Sequence, residues 1–409
     1  MPAPARTPPR LSTLIVLTGL SVLTLNMFMP SLPSIAEDFG ADYAIVNLSI
    51  AGYLALTGVL QLILGPMSDR YGRRPVLLVG LAIFVVASLG CALSTSVWMF
   101  LAFRMLQGVI IAGSVLSRAV IRDTTEPNQA ASLMGYVGMI MAIAPMTGPM
   151  FGGLLEQFFG WRSTFVFFTG GGLMVLIWCW IDLGETNTSP SATFAAQFRS
   201  YPELLRSRRF WGYTLCVSFS VGAFYAFLGG APLASKAHFN LSPAALGIGL
   251  GSITSGFMLG NYLSGRLTPR YGLTMMMIAG RVVASVALLI GLCLWMAGVH
   301  HVLVLFAPAV ATGLGNGLTM PSAHAGTMSV RPHLAGSASG LSGAVMVMGG
   351  ALITWATAAL LTDSNAAYGV LGMMLVSAGG GLAAALYVRR IDLREGPPDA
   401  QATSRDNRS

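Results

Sequence analysis

Twelve apolar runs of about twenty residues each divide this chain between residues 11 and 387, with only short loops separating most of them. They cover 11–29, 44–64, 76–93, 98–119, 133–155 and 165–181, then 210–232, 244–265, 273–299, 302–321, 334–361 and 366–387. A helix needs roughly 20 residues to cross about 30 Å of hydrocarbon. In lipid only a segment that satisfies its own backbone N–H and C=O groups is viable, which favours helices. The pattern predicts an all-α membrane protein with twelve transmembrane helices.

The loop charges orient it. Of the 23 Lys and Arg residues, only Arg162 and Lys236 fall in loops that twelve spans place outside. Arg6, Arg10, Arg70, Arg73, Arg74, Arg118, Arg122, Arg206, Arg208, Arg209, Arg266, Arg270, Arg331, Arg389, Arg390 and Arg394 fall in or near the other set. Basic loops stay on the cytoplasmic side, so both termini are expected there, which requires an even number of spans.

Charged residues make up 9% of the chain, against roughly 25% in soluble domains. The net charge of +8 follows from the inside-positive loops and suits anionic headgroups, so no nucleic-acid partner is expected. Cys91, Cys179, Cys216 and Cys293 lie in or at the ends of apolar segments without CxxC spacing and read as buried packing residues. Lys236 is the only lysine, which excludes a GxxxxGK[ST] phosphate loop. Gly313, Gly315 and Gly317 follow no strand and point to close helix packing. The five histidines form no HExxH pair; His300 and His301 sit at an outer loop tip, and His324 and His333 bracket an inner loop as solvated residues. No enzyme constellation, metal site or cofactor site is expected. The first run is too long and apolar for a cleaved signal, and its loss would leave an odd span count.

The polar stretch 184–209 separates two halves of six spans, and the halves share a signature. Gly65, Arg70, Tyr71 and Gly72 recur as Gly265, Arg270, Tyr271 and Gly272, each pair closing the second span of its half. Such duplication is typical of secondary transporters, whose bundles rock about a site near the midplane. The expected organisation is a six-helix bundle over 1–183, a cytoplasmic linker over 184–209, a second bundle over 210–388 and a disordered cytoplasmic tail over 389–409.

The run Gly65-Pro66-Met67-Ser68-Asp69-Arg70-Tyr71-Gly72-Arg73-Arg74 resembles the GxxxDRxGRR loop motif of the major facilitator superfamily. Arg104-Met105-Leu106-Gln107-Gly108 is similar to its RxxQG motif, and Gly148-Pro149-Met150-Phe151-Gly152-Gly153 to the GPxxGG motif of its exporters. Asn26-Met27-Phe28-Met29-Pro30, with Tyr213, Phe224, Tyr225 and Pro232, resembles the Bcr/CflA group of drug-efflux transporters. The resemblance implies the twelve-helix major facilitator fold, in two six-helix bundles, and export of small amphipathic compounds across a bacterial inner membrane. Partners would be a small-molecule substrate and the lipid bilayer, with the protein acting as a monomer without cofactor and a proton gradient as the candidate energy source. An anion or metabolite carrier is the alternative; a non-transporting membrane sensor fits the intact motifs less well.

Asn26 departs from that group, which carries an aspartate there. Every acid from Glu37 to Asp363 lies in a loop or at a span end, so no carboxylate is expected at mid-membrane. An amide cannot exchange a proton near neutral pH. Arg104 stays charged at any working pH, and an arginine at mid-helix costs about 2.5–3.5 kcal/mol on insertion scales. It therefore needs a cavity, the substrate, or partners such as Gln107, Asn26, Gln61 and backbone carbonyls; a helix tether is the competing reading. Candidate substrate-binding residues are Asn26, Tyr53, Gln61, Arg104, Gln107, Tyr225 and Asn316. Gly65, Asp69, Arg70, Gly72, Arg73 and Arg74 are candidates for an inner gate, and Gly148 and Pro149 for shaping the fifth span at the bundle interface.

Overall fold

The computed structural model describes residues 9–124, 127–187, 202–331 and 334–395. The first half contains α1 (Leu11–Asn26), α2 (Leu32–Phe39), α3 (Tyr43–Tyr71), α4 (Arg73–Ala92), α5 (Val97–Gln107), α6 (Ile111–Thr124), α7 (Pro127–Phe159) and α8 (Arg162–Asp182). The second contains α9 (Arg208–Phe239), α10 (Pro243–Tyr271), α11 (Leu273–Met296), α12 (Val302–Ser329), α13 (Ala335–Leu360) and α14 (Ala366–Glu395). Among the described residues eleven helical segments are long and apolar enough to span a membrane. With α7, 33 residues long, these make the twelve expected spans.

Two spans are jointed. The first is α1 and α2 linked by a 3-10 turn, Met29–Ser31, where Pro30 cannot supply a backbone N–H. The fourth is α5 and α6 joined by the 3-10 turn Gly108–Ile110, directly after Gln107. Large apolar side chains such as Val86, Met174, Ile181 and Val376 are exposed, as expected where the solvent is lipid and not water.

Spatial proximity groups the described chain into two units: α1–α8 together with 235–251, and α9 to residue 234 together with the chain from 252 onward. In the first unit Phe28, Phe39, Phe100, Trp161, Phe165 and Phe168 form a chain of ring contacts at centroid separations of 5.4–6.3 Å. The joint after α1 puts Phe28 into this cluster. Glycines bring α7 close to its neighbours. Gly148 faces Leu23 and Asn26 of α1, Gly152 abuts the Met27 carbonyl, and Gly153 abuts the Pro243 carbonyl. Gly247 and Gly251 in turn meet the Pro149 and Met146 carbonyls.

The second unit uses the same device. Gly313 and Gly317 of α12 pack on α10 at Ile253 and Phe257, while Gly315 packs on Gly280 of α11. This is the close helix packing expected of that glycine cluster.

The duplicated signature has a duplicated geometry. Gly72 and Gly272 end α3 and α10 at φ 98° and 81°, a region a side chain strains to enter. Arg70 and Arg270 stack over the following Tyr71 and Tyr271 at 5.4 and 5.5 Å.

Three expectations need correction. Helix α14 continues to Glu395, with Val388 and Ile391 buried, so the tail expected to be disordered from 389 starts as packed helix; 396–409 lie outside the described residues. Cys293 is exposed, unlike the other three cysteines, because its side of α11 belongs to the lipid-facing surface. His324 is half-buried within α12, not in a solvated loop, because that helix runs on to Ser329; His333 lies outside the described residues.

Candidate substrate site and gate

Arg104 is fully buried in the first unit. Its Nη1 donates to Gln107 Oε1 at 2.7 Å and its Nη2 to the Thr24 carbonyl at 2.9 Å. Gln107 Nε2 passes the network to Ser88 Oγ at 2.7 Å, so the first, third and fourth spans are tied together. The guanidinium carbon lies 4.2 Å from the ring centroids of both Phe28 and Tyr53. Such cation–π contacts contribute about 0.5–2 kcal/mol each. No carboxylate among the described residues pairs with Arg104, and its Nε is buried without an acceptor.

This geometry selects Gln107 and a backbone carbonyl from the alternatives the sequence leaves open for Arg104. Arg104 does not open into a cavity, because Phe28 and Tyr53 cover its guanidinium. Asn26 is not its partner, because Thr24 and Asn26 are about 200° apart around α1. Asn26 faces α7, its Cβ near Gly148; its Nδ2 bonds the Val22 carbonyl at 2.8 Å, and its Oδ1 is buried without a donor among the described residues. Gln61 is half-buried on α3.

The second unit holds a counterpart that the sequence reading missed. Arg281 of α11 is fully buried, with Nε bonded to Thr319 Oγ1 at 3.1 Å and Nη2 to Asn316 Oδ1 at 2.5 Å. Asn316 Nδ2 bonds the Ser220 carbonyl at 3.0 Å. The candidate Asn316 is thus the middle of a network joining α9, α11 and α12, and Arg281 Nη1 is left without an acceptor among the described residues. Tyr225 is half-buried, stacked edge-on against Phe224 at 5.2 Å and close to Gly350. The available signal for Arg281 was the same one that flagged Arg104, an arginine inside an apolar run.

The loop motif assembles around the α3–α4 turn. Asp69 pairs with Arg73 at 2.6 Å, and Arg73, almost wholly buried, also bonds Ser68 Oγ. The carboxylate at the α4 N-terminus is a different one, Glu185. Its oxygens accept from the Arg73 N–H at 2.9 Å and the Arg74 N–H at 3.2 Å, satisfying orphan donors and complementing the helix dipole. Gly72 lies against the Glu185 carboxylate, which a Cβ would have to displace. Asn187 closes the knot, donating to the Asp69 carbonyl at 2.7 Å. Residues 185 and 187, expected to be linker, are therefore docked on the turn. Arg74 bonds the Trp180 carbonyl at 3.0 Å and stacks over that indole at 5.4 Å, whereas Arg70 is exposed. Gly65 lies in α3 at a position whose surroundings fall outside the described residues. Among the described residues no group of three His, Cys, Asp or Glu side chains is placed to hold a metal.

Twelve apolar spans in two duplicated halves, each with a buried arginine network, define a multi-pass membrane protein of the secondary-transporter class. The profile of the Major Facilitator Superfamily matches residues 14–354, and the chain belongs to that superfamily. It is 32% identical to the uncharacterized MFS-type transporter YdgK of Bacillus subtilis, covering 83% of this chain and 86% of that one. It is 29% identical to a chloramphenicol resistance protein of Pseudomonas aeruginosa, over 82% of this chain and 79% of that one. To multidrug resistance protein D of Escherichia coli it is 28% identical, over 89% and 93%. The fold is also that of a bacterial homolog of the human lysosomal transporter Spinster, solved in an inward-facing, unoccupied conformation. That match has a TM-score of 0.75 at 18% identity and covers 92% of this chain and 95% of that one.

Proposed function

We propose that the protein exports small amphipathic drugs or metabolites by alternating access, with neutral or weakly acidic compounds of the phenicol type as the preferred class. The observation that carries this reading is the pair of buried arginines, Arg104 and Arg281, neither facing a carboxylate among the described residues. An uncompensated positive charge in a low-dielectric interior disfavours a second cation nearby by several kcal/mol at about 10 Å or less. Relatives named for chloramphenicol and multidrug resistance support efflux as the activity.

Because Arg104 is covered, it acts through its field and through the rings it holds, and Tyr53, Gln61, Gln107, Tyr225 and Asn316 supply candidate contacts around it and in the second bundle. Asn26 adds an amide oxygen against α7 that has no donor among the described residues. Asp69, Arg73 and Arg74, with Gly65, Arg70 and Gly72, form the inner gate; Gly148 and Pro149 shape the fifth span. The rocking bodies are the halves 1–183 and 210–388. The protein works as a monomer in a bacterial inner membrane with both termini cytoplasmic, uses no cofactor, catalyses no reaction and draws on the proton gradient as an antiporter.

The two arginines also favour a second reading, an anion or metabolite carrier. Flux in proteoliposomes separates them. Efflux requires transport of chloramphenicol and exclusion of tetraphenylphosphonium, whereas transport of organic anions with no movement of chloramphenicol selects the carrier. Clear transport of tetraphenylphosphonium overturns the charge argument for both.

A further inference from the structure

The lipid-facing stripe of the last span ends in arginines. Val376, Gly379, Ala383, Leu386, Arg390 and Arg394 recur at intervals of three and four residues, so they share one face of α14, and all are exposed. Gly381, Ala385, Val388 and Ile391 on the opposite face are buried. Helix α9 repeats the arrangement from its other end: Arg208, Trp211 and Leu215 share a face, with Arg208 and Leu215 exposed and the Trp211 indole anchored to the Leu205 carbonyl at 2.8 Å.

The two helices lie side by side. Gly212 abuts Val388 and Tyr387, Gly380 abuts Phe219, and Ser377 Oγ bonds the Phe219 carbonyl at 2.8 Å. At the basic end, Arg209 engages Asp392 and Glu395 at 3.6 and 3.7 Å, and Thr274 also holds Asp392. The local acids are thus occupied, while Arg206, Arg208, Arg390 and Arg394 are exposed with no carboxylate partner among the described residues.

We propose that this two-helix edge binds the phosphate of an anionic phospholipid, with Arg208 on α9 and Arg390 and Arg394 on α14 around the headgroup. The acyl chains lie along Leu215, Leu386 and Val376, and Trp211 and Tyr387 stand at the polar–apolar boundary, where aromatic residues favour the interface. In the orientation proposed above, the lipid occupies the inner leaflet. Continuity of the stripe selects a lipid over a free anion. Val376 to Arg390 spans about 21 Å of helix, more than the roughly 15 Å of one hydrocarbon leaflet, so a single lipid meets the apolar stripe and the arginines together. Guanidinium groups suit phosphate because they donate in a planar fork.

The test uses the full chain in phosphatidylcholine nanodiscs containing a minority of phosphatidylglycerol, with the lipid retained on the protein counted by native mass spectrometry. The triple variant Arg208→Gln, Arg390→Gln, Arg394→Gln is expected to retain phosphatidylglycerol about a hundredfold less, at roughly fivefold per arginine. The triple Arg70→Gln, Arg266→Gln, Arg270→Gln removes the same charge from other exposed arginines and is expected to retain it. If the first triple does not insert, Arg394→Gln alone is expected to lower retention about fivefold, with Arg394→Lys keeping most of it. Equal losses in both triples, or no loss on removing the clamp arginines, overturns the site. Displacement of the lipid by inorganic phosphate overturns its identity as a lipid site and assigns the arginines to a free anion.

Discussion

Gly152 of α7 and the carbonyl of Met27, the residue that caps α1, lie so close that a methyl group on the glycine has nowhere to go. The obstacle is backbone, and it sits at the joint where α1 gives way to its 3-10 turn. Gly152→Ala should therefore push two spans apart, destabilising the protein by about 1–3 kcal/mol as overpacking does, with a lower melting temperature and reduced flux. Gly170→Ala, where nothing lies within 4 Å of the added carbon, is the matched substitution and should change melting by about 0.5 kcal/mol or less. Equal melting of the two variants refutes the steric argument.

Asp69→Asn keeps the side-chain volume but removes the charge opposite Arg73. The pair is half open to solvent on the Asp69 side and closed on the Arg73 side, so the loss should fall between exposed and buried pairs, about 1–2 kcal/mol. Reduced substrate flux at normal membrane abundance is expected. Unchanged flux would show that the motif is not a working gate here.

Arg281 separates structure from charge. Arg281→Lys keeps the charge but cannot reproduce the fork to Asn316 and Thr319, and should lower stability by about 1.5–3 kcal/mol. Arg281→Met removes the charge and its desolvation cost at similar volume, but leaves Asn316 Oδ1 and Thr319 Oγ1 without their guanidinium donor, and should cost about 1–3 kcal/mol. If the field sets substrate range, the Met variant should also begin to transport a lipophilic cation. Continued exclusion of that cation in folded Arg281→Met protein would confine the role of Arg281 to packing.

Asn26→Asp would place a carboxylate against Gly148 on α7, away from the covered Arg104. Flux measured with and without an imposed pH gradient should depend more strongly on the gradient in this variant than in the unaltered protein. With no titrating group at Asn26, proton coupling in the unaltered protein falls to a peripheral group such as Glu156, Asp182 or His324, or to a proton carried by the substrate. Strong gradient-driven flux of a non-ionising substrate that survives substitution of all three would defeat this reading. Asp182 is the least suited of these three, being held by Thr13 Oγ1 at 2.5 Å and the Arg10 N–H at 2.9 Å.

The spans were legible because hydrocarbon thickness is a length the sequence must match, and Arg104 was legible because a charge inside such a length stands out. Arg281 met the same criterion and passed unnoticed within the run 273–299. The side on which Asn26 points was not legible, since the turn of about 200° between it and Thr24 excludes it only once the Thr24 carbonyl, 80 residues away, is known to hold Arg104. The cover over Arg104 was not, because Phe28 and Tyr53 come from different spans and only packing unites them. Glu185 was hidden for a similar reason: its partners, the N–H groups of Arg73 and Arg74, are 112 and 111 residues away.

The two buried arginines arise from different members of the duplicated halves. In the first half the arginine stands on the fourth span and its hydroxyl relay, Ser88, on the third; in the second it stands on the third, with its amide and hydroxyl partners on the fourth. The halves are therefore no longer interchangeable parts. A chimera exchanging α4 for α11 would give one bundle two interior cations and the other none, with Asn316 and Thr319 facing an absent donor. Any ancestral unit from which both halves descend had a single arrangement here, so at least one copy has since changed the interior charge it carries.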